Sequence, residues 1–194
     1  CFGLTGCEAL ALMLLTPPSI EADEIRWATK RPGSSGIGIE RLTIKQNDLP
    51  AQGVKMIADT LKKKNKFSRL KFLDMSTCNL GVPGSEFLSL ALMQNKCLEE
   101  LVLSGPRNYV GVAGSCVLAS ALLENFSLKR LWLDKNNIAF EGVTAIMETL
   151  QNNQTLEFID LSQNMLGDRA GGVIDFTLTT LAGEGRLGSI KRLN

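Results

Sequence analysis

Apolar residues recur along this chain in a fixed order. Between Leu128 and Leu156 they first alternate two positions apart and then recur four positions apart. Alternation predicts a short strand with one buried side, and recurrence every four residues predicts a helix with one buried face. The same order begins again at Leu156, 28 residues after Leu128, so the chain is built from repeats.

Five units of this kind follow one another. Their first residues are Ile39, Leu70, Leu98, Leu128 and Leu156. A single unit cannot bury both its strand and its helix face, whereas stacked units cover one another. We therefore expect one curved sheet of parallel strands, each followed by a helix. The predicted strands are 42–44, 73–75, 101–103, 131–133 and 159–161.

A polar residue follows each strand at a regular position. Asn47, Asn136 and Asn164 occupy it in three units, and Cys78 replaces the asparagine in another. An amide at this point can hydrogen-bond backbone groups that would otherwise be buried and unpaired. In the unit that begins at Leu98 the turn is two residues longer. We expect Arg107, Asn108 and Tyr109 to project from this longer turn at the rim of the sheet.

Two segments lie outside the regular units. Gly6, Leu10 and Leu14 have the helix spacing of a unit whose strand is missing. Residues 16–38 carry Thr-Pro-Pro and a glycine-rich stretch, which predict either an irregular insertion or a degenerate repeat. We expect residues 1–194 to form a single repeat domain that is a fragment of a longer solenoid.

The combined pattern, LxxLxLxxNxLxxxGxxxLxxxL, resembles the ribonuclease-inhibitor-like class of leucine-rich repeat. The resemblance covers roughly residues 2–15 and 39–193. It implies an α/β solenoid with the shape of a horseshoe segment, in which parallel strands line the concave face and helices line the convex face. Members of the class include inhibitors, receptor sensors, GTPase-activating proteins and adaptors, so the expected partner is another protein.

Composition excludes several kinds of function. The 21 basic and 20 acidic residues nearly cancel, which argues against a nucleic-acid or membrane partner. The chain has no histidine, which excludes histidine-based catalysis and histidine metal sites. The 5 cysteines are scattered and odd in number, which favours free thiols in an intracellular, cytoplasmic protein. No acid, base, nucleophile or metal set converges, so we expect no enzyme activity, cofactor or metal.

The candidate binding residues are those that point away from the core on the strands. Trp132 stands out among them, because tryptophan, tyrosine and arginine are enriched at the centres of protein interfaces. The alternative for Trp132 is that another part of a parent protein covers it. The predicted partner-binding residues are Trp132, Arg130, Phe158, Asp134, Asp160, Phe72 and Asp74 on the sheet, with Tyr109 and Arg107 at the rim.

These observations predict a non-catalytic scaffold that binds a partner protein through its concave face, besides contacting the remaining repeats or domains of its own parent chain. Two alternatives remain open. The chain could regulate a partner enzyme in the manner of a GTPase-activating protein, for which Arg107 and Asn108 are the eligible residues. It could also be a structural subunit of a large assembly.

Two matches to the glycosylation sequon have a competing explanation. Asn125-Phe-Ser127 and Asn153-Gln-Thr155 both fall between a helix and the next strand. Because the repeat places an asparagine at this point, a structural role is favoured over glycosylation.

Overall fold

The computed structural model describes residues 3–15, 39–62, 69–185 and 192–193, in which helices and short strands alternate. In chain order the elements are α1 (Leu4–Leu15), β1 (Arg41–Thr43), α2 (Ala51–Lys62), β2 (Phe72–Asp74), α3 (Gly81–Gln94), β3 (Glu100–Val102), α4 (Gly111–Glu124), β4 (Arg130–Trp132), α5 (Phe140–Leu150), β5 (Phe158–Asp160), α6 (Asp168–Gly183) and β6 (Arg192–Leu193). Within these ranges, no helix combines the length and apolar character that a membrane span requires.

The strands form one sheet in sequence order, and each is parallel to the next. Leucines of neighbouring units lie side by side in it, as the pairs Leu73–Leu101 and Leu101–Leu131 show. The α/β leucine-rich repeat solenoid is thus confirmed. Each strand begins one residue earlier than predicted, because the first backbone bond forms before the first core leucine. Arg130 N, for example, already donates to Glu99 O at 3.0 Å.

Helices α2 to α5 each pack on the preceding helix at a glycine. The glycines of α2, α3, α4 and α5 each face a side chain of the preceding helix, in the pairs Gly53–Cys7, Gly84–Val54, Gly114–Ser85 and Gly142–Ser115. A Cβ atom at Gly114 would lie 2.8 Å from Ser85 Oγ and 2.9 Å from Val110 Cγ1. Close helix contact therefore requires the recurring glycine at Gly53, Gly114 and Gly142, whereas a Cβ at Gly84 would meet Val54 Cγ1 at an ordinary 3.5 Å.

Helix α1 belongs to the same stack. Cys7 packs against Gly53 of α2, and Leu10 is buried in the common core. The helix predicted from the spacing of Gly6, Leu10 and Leu14 is therefore present and in phase with the later units. The prediction for residues 16–38, an insertion or a degenerate repeat, falls outside the described residues.

Two ladders of asparagines hold the turns together. At the ends of the strands, Asn136 Nδ2 donates to Leu103 O at 2.9 Å, and Asn164 Oδ1 accepts from Asn136 N at 2.8 Å. Before the strands, Asn95, Asn125 and Asn153 donate to carbonyls of the preceding unit and accept from the following turn. Asn125 and Asn153 are buried. Their side-chain amides are hydrogen-bonded to the backbone, which supports the structural explanation of both sequons.

Cys78 takes over part of the role of the asparagine it replaces. Its thiol donates to Ile44 O at 3.2 Å and is fully buried. Burial raises the pKa of the Cys78 thiol to about 11, so the group is neutral at physiological pH. A thiol lacks the amide oxygen, however. It cannot accept the backbone N–H bonds that Asn164 Oδ1 accepts from Asn136 and Ile138.

Candidate protein-binding site

We call the face of the sheet that points away from the helices the concave face. The strands and the residues just after them present three columns of side chains on this face. The first column is Arg41, Phe72, Glu100, Arg130 and Phe158. The central column is Thr43, Asp74, Val102, Trp132 and Asp160. Beyond the strand ends lies a third column of Lys45, Ser76, Ser104, Asp134 and Ser162. Because neighbouring strands are parallel and in register, each column brings together residues about 30 positions apart in the chain.

Four of these residues form a connected group around Trp132, which we call the tryptophan cluster: Glu100, Arg130, Trp132 and Phe158. Glu100 accepts one hydrogen bond from Arg130 Nε at 2.9 Å and another from Trp132 Nε1 at 3.2 Å. The rings of Trp132 and Phe158 pack with centroids 4.4 Å apart and planes tilted by 46°. The indole is thus fixed on two sides while part of it remains exposed.

A second aromatic contact lies at the other end of the first column. The Arg41 guanidinium stacks over the Phe72 ring at 3.6 Å from its centroid. Arginine in this position keeps its N–H edges available while its flat face covers the ring. Phe72 is consequently partly covered by Arg41, although it lies on the exposed side of the sheet.

Two of the predicted binding residues are less accessible than their outward position suggests. Phe158 is 8% exposed and Asp160 is 7% exposed. Phe158 packs against Trp132, and Asp160 accepts a hydrogen bond from Ser162 N at 2.9 Å. In this geometry both residues support the exposed part of the face more than they offer surface of their own.

Asn108 does not project from the longer turn, so the prediction for this residue was wrong. It is fully buried, accepts from Cys78 N at 2.6 Å and donates to Leu103 O at 2.8 Å. The extra residues of the turn precede it, so Asn108 takes the ladder position that Asn136 has in the next unit. It is therefore unavailable to a partner enzyme, which removes one of the two residues that the regulatory alternative required.

Arg107 and Tyr109 do lie at the rim, and both are exposed. Tyr109 is 53% exposed and has a backbone φ of 46°. The neighbouring units place Asn79 and Asn137 at the equivalent position, with φ of 58° and 55°. Asparagine tolerates this left-handed conformation, whereas a bulky residue is strained in it. Tyr109 therefore occupies a position for which asparagine, the residue of the neighbouring units, is better suited.

Glu100, Arg41 and Lys45 were not among the predicted binding residues. Each lies in one of the three columns, and Glu100 is the acceptor that connects Arg130 with Trp132. The column positions follow from the strand alternation in the sequence. Which side chains of a column bond to one another depends on their rotamers, and the sequence pattern carries no signal for that.

The residues immediately before β2, β3 and β4 form a short row of charged side chains. Glu99 Oε2 accepts from Lys129 Nζ at 2.9 Å, and Glu99 Oε1 lies 3.6 Å from Lys71 Nζ. The hydrogen bond from Lys129 lowers the pKa of the Glu99 carboxyl below its usual value. All three side chains are substantially exposed, so the row contributes little to stability.

The described part of the chain contains no group of three or more acidic or cysteine side chains that could hold a metal ion. Its cysteines are free. The geometry of the concave face offers hydrogen-bonding, charged and aromatic contacts, which are the contacts used in protein recognition.

Comparison with known proteins agrees with this architecture. A family model described as Leucine Rich repeat matches residues 152–174. The chain is 33% identical over 131 residues to human NACHT, LRR and PYD domains-containing protein 12, covering 67% of this chain and 12% of that protein. It is 27% identical over 171 residues to mouse ribonuclease inhibitor, covering 88% of this chain and 32% of that protein. The chain therefore spans less than a third of the length of these relatives.

Among solved structures, that of the leiomodin-1 actin-binding site 2 is similar, with a TM-score of 0.56 and 15% sequence identity. The match covers 76% of this chain and 85% of that one. At this level of identity the likeness concerns the fold alone. The repeat pattern, the sequential parallel sheet and these relatives together identify the chain as a leucine-rich repeat protein of the ribonuclease-inhibitor-like type.

Proposed function

We propose that this chain is a non-catalytic protein-interaction module that binds a partner protein through its concave face, with Trp132 as the central anchor. The observation that carries the proposal is the tryptophan cluster. Trp132 is held in one orientation by Glu100 and Phe158 and still exposes part of its ring. A rigid, partly exposed aromatic side chain loses little conformational entropy when a partner covers it.

The surroundings of Trp132 fit this role. Arg130 is tethered through Nε to Glu100, and its side chain is 44% exposed. Arginine and tryptophan together are the side chains most enriched among the residues that dominate binding energy. Phe72, Asp74, Asp134, Phe158, Asp160, Arg107 and Tyr109 stay predictions as further contact or supporting residues.

A cytoplasmic location is part of the proposal. Cys7 and Cys78 are buried free thiols, and Cys97 is an exposed one. An exposed free thiol is typical of a reducing compartment. The rival function, regulation of a partner enzyme, keeps only Arg107 after the burial of Asn108. No further observation favours it.

Differential capture from cytoplasmic extract tests the proposal. The wild-type chain is compared with Trp132→Ala and with a control, Phe126→Ala. Phe126 is 66% exposed on the turn after α4, away from the concave face. We expect a bound protein that Phe126→Ala retains and Trp132→Ala loses, with a loss of about 2 kcal/mol or more when its affinity is measured.

Circular dichroism establishes that both variants are folded before capture. Trp132→Phe, which keeps an aromatic ring but not the hydrogen bond to Glu100, should bind with intermediate affinity. A partner that binds wild type and Trp132→Ala equally well would contradict the proposal, and so would one that only Phe126→Ala loses.

A further inference from the structure

The acidic residues of the concave face are already engaged within it. Asp74 Oδ1 accepts from Ser76 N at 3.0 Å and from Ser76 Oγ at 2.6 Å. Glu100 accepts from Arg130 and Trp132, Asp134 accepts from Ser104, and Asp160 accepts from Ser162. A partner that approaches these carboxylates meets groups whose hydrogen-bonding capacity is partly used.

The basic residues at β1 are in the opposite situation. Arg41 contacts the Phe72 ring, and neither it nor Lys45 forms an ion pair with any acid in the described ranges. Both side chains are exposed. Stacking on Phe72 fixes the Arg41 guanidinium plane, so its N–H edges can bind a carboxylate with both nitrogens at a low entropic cost.

The charges of the face are therefore separated along the sheet. In the described ranges, the β1 end carries two cations on this face, Arg41 and Lys45, and no acid. The acid on the adjacent strand, Asp74, already accepts two hydrogen bonds from Ser76. The β4 and β5 end carries Arg130 with Asp134 and Asp160, and Glu100 beside Arg130. A partner that matches this distribution brings negative charge to β1 and a neutral, apolar group to Trp132.

The distance between the two ends limits the shape of such a partner. Three strand spacings separate β1 from β4, which corresponds to roughly 14 Å. An extended chain that runs across the strands advances about 3.3 Å per residue, so about four residues span this distance.

We infer that the concave face binds an extended segment of a partner protein in which an acidic residue and an aromatic or large apolar residue lie about four positions apart. The acidic side chain docks on Arg41 and Lys45, and the apolar side chain covers Trp132. This inference rests on the proposed function, because it assigns the chemistry of the partner for the same face.

Selection from a random peptide display library on the immobilised whole chain tests the inference without a known partner. The peptides that it enriches are expected to share an aspartate or glutamate and an aromatic or apolar residue about four positions apart. Their dissociation constants are then measured against wild type, Arg41→Gln, Lys45→Gln, Trp132→Ala and Lys55→Gln. Lys55 is an exposed cation on α2, so Lys55→Gln changes the net charge equally but leaves the concave face intact.

Removing Arg41 should weaken binding roughly tenfold, and removing Lys45 should weaken it by a smaller factor. Trp132→Ala should also weaken it, and Lys55→Gln should leave it unchanged. Replacing the acidic residue of the peptide by its amide should reproduce the loss seen with Arg41→Gln. Added salt should weaken the binding of the acidic peptide more than the binding of the amide peptide.

The possible outcomes separate the inference from the proposed function. Peptides that need Trp132 but carry no acidic residue would overturn the inference and leave the proposed function standing. Peptides that bind Trp132→Ala as well as wild type, or the enrichment of no peptide, would overturn both. If Lys55→Gln and Arg41→Gln weaken the binding of acidic peptides equally, the effect is one of net charge, and the inference is overturned.

Discussion

Ser89 carries a buried hydroxyl that has no hydrogen-bond partner in the described part of the chain. The equivalent positions in α2 and α4 are Ala58 and Ala119, both buried. Since an unpaired buried hydroxyl costs about 1 kcal/mol or more, Ser89→Ala should raise the free energy of unfolding. Alanine also favours a helix over serine by up to roughly 0.7 kcal/mol, so a control is needed.

Ser120→Ala is that control, because Ser120 is exposed in α4 and bonds to Cys116 O at 3.1 Å. In urea unfolding, Ser89→Ala should gain about 1 kcal/mol more than Ser120→Ala. Equal gains would mean that the Ser89 hydroxyl is satisfied in solution, for example by water.

At the residue scale, some positions could be predicted from the sequence and others could not. The ladder positions of Asn136 and Asn164 follow from their fixed distance to the preceding leucines. The position of Asn108 does not, because two additional residues in a turn can lie on either side of the asparagine. The hydrogen bonds of Asn108 with Cys78 and Leu103 in the structure show that it takes the ladder position. Tyr109 is exposed on its turn, but a tyrosine in the sequence does not indicate the left-handed backbone that it adopts there.

At the scale of elements, the glycine near the start of α4 is a packing requirement. In Gly114→Ala, the new Cβ would lie 2.8 Å from Ser85 Oγ and 2.9 Å from Val110 Cγ1, both on buried residues. Ser85 Oγ is held by a bond to Gly81 O at 2.9 Å, so it cannot turn away without loss. We expect Gly114→Ala to lower the free energy of unfolding by about 1–3 kcal/mol.

Gly172→Ala is the matched control. Gly172 lies in α6, and a Cβ there would meet nothing within 4 Å. Alanine should therefore stabilise that helix by roughly 0.5–1 kcal/mol. The two substitutions should shift the midpoint of urea unfolding in opposite directions. A shift of both in the stabilising direction would show that α3 and α4 can separate without cost.

Strands and helices were predictable because their periods differ. Leu131 and Leu133 alternate with Trp132 as a strand requires, and Gly142, Ile146 and Leu150 recur as a helix requires. Gly142, Ile146 and Leu150 are all buried in α5, which confirms the helix pattern. Of the tryptophan cluster, Arg130, Trp132 and Phe158 were predicted as candidates, whereas Glu100 was not. The bonds of Glu100 to Arg130 and Trp132 are cross-strand contacts between different units, and periodicity within one unit does not encode them.

At the scale of the whole molecule, each helix and each strand contacts only its neighbours in the described stack. Stability in such an array is the sum of units and of the interfaces between them, so it can differ along the chain. Helices α3, α4 and α5 each bury six residues, whereas α6 buries three, Ala170, Thr177 and Leu181. Opening of α6 alone should therefore need less free energy than opening of α4.

Native-state hydrogen exchange can measure this gradient. We expect amides of α6 to exchange faster than those of α4 in the wild-type chain. Leu131→Ala removes a fully buried side chain from β4, between two covered neighbours, and should cost about 2–5 kcal/mol. Because β3 and β5 both pair with β4, exchange should rise in the units on both sides of it.

Leu181→Ala is the comparison, because Leu181 lies in α6, which contacts α5 but no other described helix. Its effect on exchange should stay within α6 and the adjoining face of α5, with α3 unchanged. If Leu181→Ala instead accelerates exchange equally from α2 to α6, the stack unfolds as one unit. The neighbour-by-neighbour account of its stability would then be wrong.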